Sequence, residues 1–298
     1  MMRHMRLAVL LAATGLFTAQ LAAATAEAAS APDVERVSAK TGVSSSSEKT
    51  ARARCPRGEY AIGGGALIQG GTSGQPPDAR AQVVLTRLQP VARRQHGRLE
   101  SFFEASAHED GNGFHGSWRL SVYAVCADPL PGLTYVSSAS PAGSPPSQTE
   151  MVACPNGKVA VGGGGRIDGG RGQVALTEAG IQDAFTFANA YEDENGFQDR
   201  WKVTAYGVCA DQPPGYVVEV VGQPQGDSAS GKTADVTCSD VNQRVYGVGL
   251  GNGGQQNQVV LTGIVPSPAQ SGATGVATED ESGTPAAWDM DVFLVCVD

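Results

Sequence analysis

Three stretches of this chain close in the same way, and the spacing inside them does not vary. They read WRLSVYAVCAD, WKVTAYGVCAD and WDMDVFLVCVD, so Trp118, Trp201 and Trp288 each precede a cysteine, Cys126, Cys209 or Cys296, by eight residues. A motif that recurs in register marks an internal repeat, and a repeated chain folds as a set of like units. Chemistry on which such a fold is built should appear in every unit. A group present once is incidental to it.

The rest of each unit follows the same plan. An extended stretch around Val37, Val136 or Val220 leads through a Ser/Gly/Pro-rich loop to Thr50, Thr149 or Thr233. A cysteine follows five residues later, at Cys55, Cys154 or Cys238. A glycine-rich strand comes next (CPRGEYAIGGGALI, CPNGKVAVGGGGRI, CSDVNQRVYGVGLG), then QVVLT, QVALT or QVVLT, an alanine-containing strand, an acidic turn and the Trp–Cys strand. The units span 34–133, 134–216 and 217–298.

Apolar and polar residues alternate with the period of a strand. In the first closing strand Trp118, Leu120, Val122, Ala124 and Cys126 share one face, and Arg119, Ser121 and Tyr123 the other. One apolar face and one mixed face describe a sheet packed on one side. The expected class is all-β: three tandem small antiparallel β-sandwich or barrel repeats of about six strands, with Pro129–Gly132 and Gln212–Gly215 as short stiff linkers. The alternative is one closed, pseudo-threefold, β-prism-like body.

Residues 1–28 read as a secretory signal peptide. Arg3 and Arg6 precede an apolar run from Leu7 to Ala24, and Ala26-Glu27-Ala28 fits the small-residue cleavage pattern. Residues 29–33 form a short tail. No later segment is apolar enough to span a bilayer, so the expected product is secreted and extracellular, without a transmembrane anchor. Six cysteines, two per unit, then read as disulfides within units: Cys55 with Cys126, Cys154 with Cys209, Cys238 with Cys296. In the chain-entropy model, loops of this length make each bridge worth about 4 kcal/mol.

The elements C-P-x-G-x-x-x-x-G-G-G and Trp…V-C-A-D resemble those of a family of uncharacterised secreted bacterial repeat proteins. The match is good in the first two units. The third has Cys238-Ser239 for Cys-Pro and Gly247-Val248-Gly249 for the triple glycine. The resemblance implies export and repeat architecture, and no reaction.

Most catalytic readings fail the test of repetition. The mature chain has three histidines, His96, His108 and His115, all in the first unit. The glycine runs Gly63–Gly65 and Gly162–Gly164 continue as strand rather than opening a helix, so a bulge or a close approach of backbone or of the Trp ring explains them better than a phosphate loop. The tryptophans share a face with their cysteines and belong to the core. Tyr123, Tyr206 and Phe293, on the opposite parity, are the candidate ligand-stacking aromatics.

The acidic turns are the best repeated polar feature. Glu109 and Asp110, Glu192 and Asp193, and Glu279 and Asp280 read first as solvated hairpin turns. Clustered carboxylates also suit a hard cation outside the cell, so calcium is the one cofactor considered and no other is expected. Charge is uneven: after residue 28 there are 19 basic and 29 acidic side chains, with 12 basic and 9 acidic in the first unit and 2 and 10 in the third. This balance excludes nucleic acid as a partner of the whole chain. An insertion peculiar to the first unit, Arg93–Arg98, reads as an exposed, protease-sensitive loop, with contact to an anionic envelope polymer as the alternative.

The expected function is that of a secreted non-enzymatic modular β protein, binding a cell-envelope polymer, a glycan or another exported protein. The alternatives are an extracellular hydrolase with a site between repeats, using His108 or His115, and a protease inhibitor using the Arg93–Arg98 loop.

Overall fold

A computed structural model describes residues 33–70, 82–254 and 257–298. The expected signal segment over 1–28 and residues 29–32 of the tail lie outside the described residues.

The described chain is built of strands and turns, as the alternation predicts. The first unit contributes β1 (Val34–Lys40), β2 (Glu48–Arg54), β3 (Tyr60–Gly70), β4 (Val83–Gln95), β5 (Arg98–Glu109) and β6 (Trp118–Ala127). The second contributes β7 (Thr134–Ala139), β8 (Ser147–Ala153), β9 (Val159–Asp168), β10 (Val174–Gln182), β11 (Phe185–Glu192) and β12 (Lys202–Ala210). The third contributes β13 (Val217–Asp227), β14 (Gly231–Thr237), β15 (Arg244–Gly253), β16 (Val259–Pro266), β17 (Gly272–Glu279) and β18 (Trp288–Val297).

In each unit the strands form two three-stranded antiparallel layers. In the first unit β1-β6-β3 packs on β2-β5-β4, and the other two units repeat the arrangement. Each unit is therefore a small β-sandwich, with its alternating apolar faces turned inward.

The layers do not stop at the unit boundary. β3 pairs with β16 through Leu67↔Gly263 and Ala66↔Ile264. β4 pairs with β9 through Arg87↔Arg166 and Leu88↔Gly165, and β10 with β15 through Glu178↔Gly251 and Ala179↔Leu250. These seams fuse half-sheets into three six-stranded antiparallel sheets. The first unit is joined to the third, the third to the second and the second to the first. The three sandwiches thus close into one pseudo-threefold body, so the two expected arrangements describe the same molecule at two scales.

The glycine-rich strands lie where the units meet. Pairing with the Trp–Cys strand skips Ile62, Val161 and Tyr246, one bulge per unit. All three bulged side chains are fully buried, in one cluster with Val125, Val208 and Val295. The next residue in each unit is Gly63, Gly162 or Gly247. A Cβ on Gly63 would overlap the carbonyl oxygen of Tyr246, one on Gly162 that of Ile62, and one on Gly247 that of Val161. Each glycine thus meets the bulge carbonyl of a different unit, in cyclic order, because only a backbone without a side chain can approach so closely.

This geometry explains the altered third unit. Val248 stands where the first two units have Gly64 and Gly163. A Cβ on either glycine would meet atoms of its own unit, the Tyr123 carbonyl oxygen and Phe103 ring at Gly64, the Thr186 side chain and Tyr206 carbonyl oxygen at Gly163. Gly249 keeps the role of Gly65 and Gly164, where a Cβ would overlap the carbonyl oxygens of Ala179, Ile264 and Leu88 respectively. The third unit has lost the glycine whose neighbours belong to its own unit and kept the two that face another unit's backbone.

Each sandwich is pinned at both ends. The disulfides Cys55–Cys126, Cys154–Cys209 and Cys238–Cys296 join its layers at one end. At the other end the tryptophan indole donates across the layers to the first acidic residue of the turn. Trp118 Nε1 lies 2.8 Å from Glu109 Oε1, Trp201 Nε1 2.9 Å from Glu192 Oε1, and Trp288 Nε1 3.0 Å from Glu279 Oε1. The ammonium groups of Lys49 and Lys232 sit 4.7 Å and 4.4 Å from the ring centroids of Trp118 and Trp288. In the second unit Gln148 takes this place and donates to the Trp201 carbonyl at 2.9 Å.

The Pro-rich junctions are fixed turns. Gly132 and Gly215 adopt positive φ, and the amides of Asp211 and Asp298 bond the carbonyls of Pro131 and Pro214. Three disulfides suit an oxidising, extracellular setting. Among the described residues no helix is long and apolar enough to cross a membrane.

Candidate functional site

The acidic turns leave β5, β11 and β17 at the end of the body away from the disulfides, and the closed ring brings them together. One hollow is lined by Asp110 from the first turn, Asp193 and Glu194 from the second, and Asp280 and Glu281 from the third. Its floor includes Val84 and Val260, which with Ala175 form a small buried cluster contributed by the three QV-x-LT strands. The hollow is narrow, with room of about 30 Å³, the scale of one water molecule.

The six acidic residues singled out from sequence divide into two sets here. Glu109, Glu192 and Glu279 accept the tryptophan indoles and serve the sandwiches, with Glu192 also bordering the hollow. Asp110, Asp193 and Asp280 stand at the hollow. Each also organises its own turn: Asp110 Oδ1 accepts the amides of Asn112 and Gly113, Asp193 Oδ1 that of Asn195, and Asp280 Oδ1 those of Ser282 and Gly283. Asp280 Oδ2 is buried without a hydrogen-bond partner. Among the described residues no group of three His, Cys, Asp or Glu is placed to hold a metal ion. Sequence reasoning saw the turns as separate; their convergence follows from ring closure, which no local spacing reveals.

Burial raises the carboxyls of Asp110, Asp193 and Asp280 to about 6 in each case. Turn amides oppose the shift, and carboxylates from other turns add to it, Glu281 beside Asp110 and Asp193, Glu194 beside Asp280. Burial likewise raises Glu178, on β10, to about 7. Glu104, on β5, behaves oppositely: burial alone would raise it, but Arg52 and Arg87 hold it below the usual range.

These directions fix the pH dependence of stability. A carboxyl raised in the folded state holds its proton more tightly there than in the unfolded chain. Its ionisation therefore destabilises the fold as pH rises from about 4 through about 6, or about 7 for Glu178. The Glu104 contribution is present above its ordinary pKa of 4.5 and is lost as pH falls below it. Because the raised carboxyls outnumber Glu104, the melting temperature should climb as pH is lowered from about 7 to about 4, and turn over only below that, where the unfolded chain's carboxyls are protonated too. Asp280→Asn keeps the turn acceptor and gives the orphaned position an N–H that can face Glu194. It should raise the melting temperature at pH 8 by about 2–4 °C, the shift expected for roughly 1 kcal/mol, and flatten the slope. An unchanged slope in that variant, measured by thermal melts across pH, would refute the account.

The opposite-parity aromatics occupy three different settings. Tyr123 lies under the Arg36 guanidinium, 5.0 Å from ring centroid to charge. Tyr206 lies close to Arg166 and Asp168. Phe293 is 3% exposed and meets Phe187 edge-on at 5.9 Å. They are not three copies of one stacking platform. Of the histidines, His108 bonds the Glu109 carbonyl and His115 is exposed. Among the described residues no Ser, Cys or Asp side chain bonds either ring.

The disulfide end carries the feature that repeats do not share. Arg93–Arg98 is not the loop expected from sequence. β4 and β5 run 13 and 12 residues, against 9 and 8 for β10 and β11 and 8 each for β16 and β17. The added residues pair through Arg94↔Leu99 and Gln95↔Arg98, and the chain reverses over His96 and Gly97, both at positive φ. Two positive-φ residues make the tight turn that matches strand twist, so the residues on either side of it continue as strand. A hollow of about 630 Å³ on one side of this hairpin is lined by Arg93, Arg94, Lys158, Tyr60, Tyr135 and Leu99 among others. A second, of about 480 Å³, is lined by Arg54, Arg57, Arg98 and Glu100.

No protein-family model matches the chain, and comparison with curated proteins finds none that is similar.

Proposed function

We propose that this protein is a secreted, non-enzymatic binding protein whose target is a cell-envelope polymer, a glycan or another exported protein. The observation behind this reading is where the repeated side chains point. The tryptophans, the first glutamate of each turn, the cysteines and the glycine runs are all engaged inside the fold. The largest differences between units, the lengthened first-unit hairpin and the uneven charge, lie on the surface. A rigid body with a repeated interior and a varied exterior suits recognition. The resemblance to secreted repeat proteins carries the same expectation of export.

Fused seams also change how binding would work. The units cannot move independently to gain avidity, so one distinct surface, rather than three equal ones, is the expected contact. The test is retention of the folded protein on whole cells, peptidoglycan, chitin and cellulose, with calcium and with a chelator. Retention on at least one matrix is expected, and its loss in chelator would assign calcium a part. No retention on any matrix, together with turnover of an esterase, protease or glycosidase substrate that His108→Ala or His115→Ala abolishes, would replace this reading with the hydrolase.

A further inference from the structure

Resting on the binding reading above, we infer that the elongated β4–β5 hairpin and its two flanking hollows form a binding site for an anionic polysaccharide. The site has three parts. First, the two hollows are lined by six cationic side chains, Arg54, Arg57, Arg93, Arg94, Arg98 and Lys158, and one carboxylate, Glu100. Glu100 holds Arg93 at 3.1 Å and Arg54 at 3.6 Å. Both guanidiniums also lie within 5.5 Å of the buried Phe102 ring, which fixes them on the hairpin. Arg57, Arg94 and Arg98 are exposed and, among the described residues, make no ion pair. A guanidinium in a fixed place presents a planar fork that fits carboxylate, sulfate or phosphate oxygens.

Second, the hollows are not purely charged. Tyr60, Tyr135, Leu133 and Leu99 supply apolar surface beside the cations. The Tyr135 hydroxyl donates to the Ala61 carbonyl at 3.0 Å, so its ring is held in position. Apolar rings next to guanidiniums match a polymer that offers sugar faces and acidic groups alternately. Third, Leu99 lines both hollows, so a chain can cross the hairpin and engage both.

The rest of the molecule makes this patch selective. The third unit carries 2 basic and 10 acidic residues, and the far end of the body holds the converging carboxylates. A polyanion is repelled there and drawn to the hairpin. A flexible single polysaccharide strand can follow the two hollows on either side of the hairpin, which a stiff duplex cannot. Residues that carry the site occur once, in the unit whose hairpin is extended.

The experiment compares binding of the full chain to alginate, to neutral dextran, to polyphosphate and to single-stranded DNA at 50 and 200 mM salt. Alginate should bind at least tenfold tighter than dextran, and more tightly than polyphosphate or DNA of equal charge. The affinity should fall as salt rises. The variant Arg57→Ser/Arg94→Ser/Arg98→Ser should weaken alginate binding at least tenfold with an unchanged melting temperature. Arg171→Ser/Arg200→Ser, at the acidic end, should leave it unchanged. Equal alginate binding by the hairpin variant and the parent would overturn the site. Equal or tighter binding of polyphosphate or DNA would overturn the polysaccharide assignment in favour of plain ion exchange. No alginate binding by a protein that is still retained on chitin, cellulose or cells would overturn this inference and leave the broader reading standing; loss of all retention would overturn both.

Discussion

Gly162→Ala should cost more than 4 kcal/mol, enough to abolish folding. The added Cβ would fall well inside 3.0 Å of the Ile62 carbonyl oxygen and close to the Cα of Gly63. Neither atom belongs to a side chain that can rotate away. Both lie on the first unit's β3, which is itself packed into the ring. Relief would require separating two sandwiches that are joined by the β4–β9 pairing and by the buried cluster around Ile62 and Val161. A domain's whole stability is about 5–15 kcal/mol, and losses above 4 come from such steric or burial conflicts. Gly42→Ala is the control, because nothing lies within 4 Å of its Cβ position and its φ is ordinary. It should be neutral, or stabilising by about 0.5 kcal/mol through the unfolded state. Urea melts of the two variants decide the matter: a Gly162→Ala protein within 1 kcal/mol of the parent would mean that the units do not touch as described.

Trp288→Phe should cost about 3–4 kcal/mol. Trp288 is 2% exposed, and its indole N–H is the hydrogen-bond donor to the Glu279 side chain, which is 6% exposed. Phenylalanine leaves part of the indole volume empty, with the penalty of a core cavity. It also leaves a buried carboxylate without its donor, which costs more than the lost bond itself is worth. Lys232 loses the larger aromatic face at the same time. Glu279→Gln retains an acceptor oxygen and should lose only about 1 kcal/mol. The ordering of the two variants is the informative result, read from denaturant midpoints at constant slope. If Glu279→Gln proved as damaging as Trp288→Phe, the charge on Glu279 rather than the indole bond would be holding the layers together.

Local rules made much of this fold legible. Alternation around Trp118, Trp201 and Trp288 predicted strands and their inward faces, and two cysteines per unit predicted the bridges. The glycine runs were readable as bulges with a close backbone approach, and they are both. The sequence could not say which backbone approaches, because Gly162 meets Ile62 and Gly63 meets Tyr246 across distances in the chain that no motif encodes. For the same reason Asp110, Asp193 and Asp280 looked like three independent turns, when ring closure brings them to one hollow. Arg93–Arg98 was misread because arginine, histidine and glycine in sequence suggest a loop. Pairing of Arg94 with Leu99 and of Gln95 with Arg98 makes it strand, and His96-Gly97 supplies the turn. Repetition was also a less direct guide to function than it was to structure. The groups present three times build the body, and the proposed binding groups occur once.

The direction of the seams has a further consequence. Each joins the glycine-rich edge of one unit to the QV-x-LT edge of another, a head-to-tail contact that closes after three steps. In symmetry terms the chain is a ring trimer whose subunits have been made continuous. A ring assembled from identical separate chains must display any surface change three times, once on each subunit. Covalent continuity removes that obligation. One subunit can carry an arginine-studded hairpin while another becomes strongly acidic, and the contacts around the axis remain equivalent. Polarity across the particle is thus available to this chain and denied to the homotrimer it imitates.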